Sequence, residues 1–153
     1  MKKFLIILFY IKLLLISSCG YEIINKVYNY KFEIVDTQFE GDVTVNKKLE
    51  KYFLKFQNKN DATRFFKIKS NSKLIKKVTS RNSAGEESSY SIRIIVVVDI
   101  IENNQIVNKS NFEKNVSYNA LNSKFELRQY EKDLINDLVE QIMLDISTYL
   151  GTL

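Results

Sequence analysis

The chain has 153 residues, 23 basic and 18 acidic side chains and a net charge of +5, with a single cysteine and no histidine, tryptophan or proline. That inventory excludes histidine-based catalytic triads, histidine metal ligands and any intrachain disulfide. Its length suits one domain around one core.

Residues 1–18 read as a secretory signal. Lys2 and Lys3 precede an apolar run from Phe4 to Ile16, interrupted by Lys12, and Ser17 and Ser18 lead into Cys19. A charged start, a short apolar stretch and small residues form the layout of a cleaved leader. The run is shorter than the about 20 apolar residues that a spanning helix needs. A cysteine at the cleavage point resembles the lipobox of bacterial lipoproteins. The resemblance implies that the Cys19 thiol is alkylated with diacylglycerol, that the chain is cut before it, and that the new amine is acylated. A thiol suits that step because its thiolate is a strong nucleophile. No other cofactor is expected. Gly20 follows where an aspartate would favour inner-membrane retention, which points to a lipid anchor in the outer membrane, on its periplasmic side. Loss of Lys2, Lys3 and Lys12 would bring the mature chain to +2, so whole-chain basicity is no argument for nucleic-acid binding.

Residues 19–27 read as a lipidated tether and residues 28–153 as one domain. Tyr28, Tyr30, Phe32 and Ile34 alternate with Asn29, Lys31, Glu33 and Val35, a period of two that predicts a half-buried strand, broken by Gly41 and Asp42. Val45, Leu49, Tyr52, Phe53 and Phe56 then recur at helical spacing, with Asp42 or Thr44 placed to cap the helix. Lys47, Lys51, Lys55 and Lys59 step along another face, either as a solvated surface or as a stripe facing an anion.

Arg64 to Ser70 predicts a second strand with Phe66 and Ile68 inward. Lys73 to Arg81 either continues it after a bend or is irregular. Asn82-Ser83-Ala84-Gly85 is a turn signal. From Ser89 to Ile101, Tyr90, Ile92, Ile94, Val96, Val98 and Ile100 line one face of a third strand. Ile95, Val97 and Ile101 make its other face apolar as well, so that face is either covered or partly exposed. Residues 102–105 predict a hairpin turn, followed by a more polar strand from Ile106 towards Tyr118 with Phe112, Val116 and Tyr118 on one side. A long amphipathic helix, Lys124 to Tyr149, carries Leu127, Tyr130, Leu134, Leu138, Ile142, Ile146 and Tyr149 on one stripe, as packing across a sheet requires. The predicted fold class is α+β, a two-layer sandwich of order β-α-β-β-β-α with two helices on one face of a four-stranded, mostly antiparallel sheet.

Charge is unevenly placed. From Lys51 to Arg81 the only acidic residue is Asp61 and the net charge is +9, leaving the rest of the mature chain acidic. Such asymmetry either attracts phosphates or an acidic surface, or serves as solubilising charge. Glu86 and Glu87 sit in a polar turn-like stretch rather than a catalytic setting, and no phosphate-binding glycine loop occurs. An enzyme is not expected.

Several segments resemble one family across nearly the whole mature chain: Cys19-Gly20-Tyr21, the strand from Tyr30 to Val35, the polar turn through Gly85 leading to Tyr90-Ser91-Ile92, the hairpin at Asn103-Asn104, Tyr118-Asn119-Ala120-Leu121, and Asp137-Leu138-Val139-Glu140-Gln141-Ile142. Together they resemble the LptE family of outer-membrane lipoproteins in lipopolysaccharide transport. The resemblance implies a protein that sits in the lumen of the β-barrel LptD, helps it fold, plugs it, and assists delivery of lipopolysaccharide to the cell surface. The partners expected are therefore an LptD-like barrel, lipopolysaccharide and, through the lipid, the membrane, with no nucleic acid. Charge and position near the turn nominate Lys76, Lys77 and Arg81 for lipopolysaccharide phosphates. The apolar second face nominates Ile95 and Val97 for the barrel. An auxiliary lipoprotein of a lipid-trafficking ABC transport system is the alternative. A periplasmic enzyme is argued against by the missing histidine and the blocked thiol.

Overall fold

The computed structural model describes residues 31–153. The signal segment, Cys19, the tether, and Tyr28 and Tyr30 of the expected first strand lie outside them. In chain order the described residues form β1 (Phe32–Gly41), α1 (Val43–Phe53), a 3-10 turn (Leu54–Phe56), β2 (Arg64–Arg81), β3 (Glu87–Glu102), β4 (Gln105–Asn119) and α2 (Lys124–Leu150). The strands make one sheet in the order β1-β2-β3-β4. β1 and β2 are parallel, and the other two pairings are antiparallel. A parallel pair needs a crossover, which α1 and the following loop supply. Both helices pack on one face, which gives the two-layer α+β sandwich that the sequence predicts.

β1 buries Phe32 and Ile34 against the helices. Val35 turns outward by alternation, and a register shift between Ile34 and Asp36 keeps Asp36 outward too and carries Phe39 back towards the core. Strict alternation from Ile34 would have placed Asp36 inward, and the bulge removes that conflict. Gly41 ends the strand at a φ of 96°, and a Cβ there would lie 1.9 Å from the Ser72 carbonyl oxygen. The Asp42 N–H donates to that same oxygen at 3.1 Å. The Asp42 carboxylate accepts from the Thr44 and Val45 N–H groups at 2.9 and 3.0 Å, so Asp42 is the N-cap of α1. Val45, Leu49 and Phe53 of α1 and Phe56 of the 3-10 turn are buried.

β2 is one continuous strand to Arg81, which resolves the ambiguity of residues 73–81. It runs nine residues beyond its last pairing with β1, at Ser72. β3 pairs along nearly all of it and contributes the centre of the core: Tyr90, Ile92, Ile94, Val96, Val98 and Ile100 are all buried. Each such side chain contributes about 1.5–3 kcal/mol relative to exposure. The β2–β3 turn is held by the Asn82 side chain, which accepts from the Ala84 and Glu86 N–H groups. The β3–β4 turn places Asn103 and Asn104 at φ of 52° and 61°, the positive pair that a tight type I′ hairpin demands.

α2 begins at Ser123, whose hydroxyl accepts from the Glu126 N–H. Its buried residues lie in the second half: Leu138, Val139, Ile142, Ile146, Ser147 and Leu150. Leu127 and Leu134 are half-buried, while Phe125 is 71% and Tyr130 43% exposed. The expected stripe is therefore deep only where α1 lies alongside. The Tyr52 and Ser147 hydroxyls are hydrogen-bonded and link the two helices.

Candidate functional site

No helix of the described residues covers the second face of the sheet. Strand alternation brings to it Lys67, Lys69, Lys73, Ile75 and Lys77 from β2, and Arg93, Ile95, Val97, Asp99 and Ile101 from β3. The register sets Lys73, Ile95 and Glu113 side by side, then Asn71, Val97 and Asn111, then Lys69, Asp99 and Lys109. Ile95 and Val97 are half-buried and lie at the centre of this face, as the sequence indicated, and the residues paired with them on both sides are polar. Ile75 extends the apolar centre one strand over. Its signal was the odd-numbered alternation of β2, which could be used only once residues 73–81 were known to be a strand.

Several charges here are already paired. Lys69 meets Glu40 at 3.0 Å, Lys109 meets Asp99 at 3.0 Å, and Arg93 meets Glu113 at 3.3 Å. The hydrogen bond and charge of Lys69 hold the Glu40 carboxyl below its ordinary value. Lys67 donates to the Asn104 side chain at 3.1 Å. Among the described residues, Lys73 and Lys77 have no carboxylate partner. They lie on the same face four residues apart, a separation of about 13 Å. A hollow of about 70 Å³ lies among Ile75, Lys77, Ser91 and Arg93. It holds a few waters or one phosphate-sized group, not the body of an amphiphile.

The three basic residues nominated from sequence do not converge. Lys77 is on the uncovered face. Lys76 points to the helix face, where its ammonium lies 2.6 Å from Glu131 and 4.9 Å above the Tyr90 ring. Glu131 also accepts from the Tyr118 hydroxyl at 2.8 Å. Burial, reinforced by that carboxylate, pushes the Tyr118 phenol well above its ordinary value. Arg81 is engaged at the turn, donating to the Gly85 carbonyl at 2.9 Å and lying 3.5 Å from Glu87. Cys19 lies outside the described residues.

The helix layer carries a second basic feature. Lys48 and Lys51 of α1 and Lys55 of the 3-10 turn face Asn136, Glu140 and Met143 of α2 across a groove of about 320 Å³ that Tyr52 also lines. Lys55 lies 5.2 Å above the Tyr52 ring. Of the lysine stripe read in sequence, Lys51 and Lys55 line the groove. Lys48, at helical spacing from both, was missed because it falls outside the four-residue step.

No protein-family model matches the chain, and no curated protein sequence does. Among solved structures, the fold is similar to rare lipoprotein B from Shewanella oneidensis, with a TM-score of 0.52 and 11% identity over 74% of this chain and 95% of that one. It is similar to lipoprotein B from Nitrosomonas europaea, with a TM-score of 0.51 and 13% identity over 78% and 87%. It is also similar to a candidate homolog of neuraminyllactose-binding hemagglutinin from Helicobacter pylori, with a TM-score of 0.51 and 13% identity over 79% and 83%. At these identities the likeness is one of fold, and the chain shares the two-layer α+β architecture of these bacterial proteins.

Proposed function

We propose that the protein is a lipoprotein anchored in the outer membrane through Cys19, and that it assembles with and plugs an LptD-like β-barrel to assist lipopolysaccharide transport. The observation that carries this reading is the uncovered sheet face. A four-stranded face with Ile75, Ile95 and Val97 at its centre, and beside them Lys73 and Lys77 with no carboxylate partner among the described residues, suits a wet wall and an anionic amphiphile together. The lipobox-like start, the segments resembling the LptE family, and a fold shared with rare lipoprotein B support it. Binding, not chemistry, is the role proposed. The basic residues act as point contacts for phosphates, with Lys77 the best placed of the three nominated.

Affinity purification of the tagged full chain from detergent-solubilised outer membranes tests this reading. A barrel protein should co-purify in stoichiometric amount. Recovery of the lipidated chain alone would overturn it, and recovery with an inner-membrane permease would favour the ABC-system alternative. Cys19→Ser should leave the protein unlipidated and reduce its membrane retention, because two or more acyl chains are what make such anchoring stable.

A further inference from the structure

β1 leaves the sheet at Gly41, and the consequence falls on β2. Beyond Ser72 the strand continues to Arg81 with β3 on one side only. The Ser72 carbonyl faces β1, where it accepts from the Asp42 N–H. Backbone groups alternate sides along a strand, so the N–H and C=O groups of Leu74, Lys76 and Val78 face the same outer edge. No hydrogen bond among the described residues reaches them. From Lys73 to Val78 the register with β3 is unbroken, and it first shifts at Thr79. The result is a short, straight edge of the kind that accepts an added strand.

The outer edge of β4 is blunted by comparison. It carries a bulge at its start, between the partners of Ile100 and Ile101, and an inward-pointing Lys114 paired with Asp145 at 2.7 Å.

Three occupants could fill the β2 edge. With the chain cut before Cys19, as its lipobox-like start implies, residues 20–30 of this chain are too short. Lys31 sits beside Thr63 at the opposite end of β2, about 33 Å from Leu74, and eleven residues extend to roughly 40 Å at most, leaving almost nothing to pair. A second copy paired antiparallel about Ile75 would set Lys73 of each chain opposite Lys77 of the other, and like charges placed opposite one another destabilise a sheet. A strand from another protein meets neither objection. Its side chains beside Lys73 and Lys77, which have no carboxylate among the described residues, would be acidic. Its side chains on the helix face, beside Leu74 and the 40%-exposed Val78, would be apolar.

We propose that the β2 edge from Lys73 to Val78 takes an added β-strand from a partner protein, one that alternates acidic with apolar residues. Any envelope protein with such a segment satisfies this, so the inference does not depend on the barrel-plug reading.

The test uses the full mature chain in detergent micelles and a capped nonapeptide alternating glutamate with valine, with a lysine–valine peptide as control. At saturation the glutamate peptide should slow amide exchange at Leu74, Lys76 and Val78 at least tenfold, and the lysine peptide should not. Val78→Pro removes an outward N–H that β3 does not use, and proline is tolerated at edges, so it should weaken binding at least tenfold while the protein stays folded. If that variant does not fold, Lys73→Glu combined with Lys77→Glu decides the matter, because the preference should switch to the lysine peptide. Equal binding of both peptides, protection at β1 or β4 instead, or edge amides protected without peptide, whether in proportion to protein concentration or not, would each overturn the proposal.

Discussion

Lys76 of β2 and Glu131 of α2 meet at 2.6 Å across the helix–sheet layer, and the same Glu131 oxygen accepts from Tyr118. The Glu131 side chain is 13% exposed and that of Lys76 is 42% exposed. Removing the carboxylate leaves a buried phenol and a partly exposed ammonium without their acceptor. Glu131→Ala should cost about 2 kcal/mol, and Lys76→Met less than about 1 kcal/mol, measured as shifts in urea midpoint at constant slope.

The same pairing ranks the basic residues for anion binding. Lys76 and Arg81 are engaged with carboxylates, whereas among the described residues Lys73 and Lys77 are not. Lys73→Ala combined with Lys77→Ala should weaken binding to lipopolysaccharide-containing vesicles several-fold, and more than Lys76→Ala. The difference should shrink as salt rises, because exposed charges are screened. Equal losses from both variants would assign the contact elsewhere.

Gly41 has no room for a side chain. Its φ is positive and a Cβ would strike the Ser72 carbonyl, a backbone atom that cannot swing aside. Gly41→Ala should cost more than about 2 kcal/mol, whereas Gly85→Ala, also at positive φ but with open space around it, should cost only about 1 kcal/mol from strain. Thermal unfolding of the two variants checks the order.

Two buried serines on β2 should respond in opposite ways. Ser70 is fully buried, and its hydroxyl has no hydrogen-bond partner among the described residues. Ser72 donates to the Asn46 side-chain oxygen at 2.6 Å. Ser70→Ala should stabilise the domain by about 1 kcal/mol and Ser72→Ala destabilise it by a similar amount, seen as opposite shifts in Tm.

Acid should weaken the end of the sheet where β2 begins and β3 finishes. Arg64 grips Glu102 through two hydrogen bonds, at 2.9 and 2.8 Å, and they hold the Glu102 carboxyl below its ordinary value. A depressed carboxyl contributes stability that is present above the unfolded value of about 4.3 and is lost as pH falls through the folded one. Arg64→Gln should flatten that acid limb. Tyr118 acts in the opposite sense. With its folded value raised, its contribution is present below about pH 10 and is lost above it, so Tyr118→Phe should flatten the alkaline limb. Denaturation midpoints from pH 3 to 11 check both.

The strongly periodic parts of the fold were legible in the sequence. The run of six inward residues from Tyr90 to Ile100 and the helix from Lys124 needed only their spacing, because burial imposes that spacing directly. The extension of β2 was not legible. Lys73, Lys76 and Lys77 are strand residues whose side chains are polar on both faces, so no alternation marks them, and only pairing with β3 makes them a strand. The site was less legible for a related reason. Sequence proximity grouped Lys76 with Lys77, but a period of two sends neighbours to opposite faces, so the pair that shares a face is Lys73 and Lys77.

β2 and β3 run for 18 and 16 residues, against a usual strand of about five or six. At about 3.3 Å per residue the sheet is roughly 50–60 Å tall. The apolar belt of a transmembrane barrel is only about 25 Å high. A domain of this height standing upright in such a lumen would project well beyond the membrane plane. One end of the sheet would then stay accessible to soluble components of the periplasm while the other is enclosed.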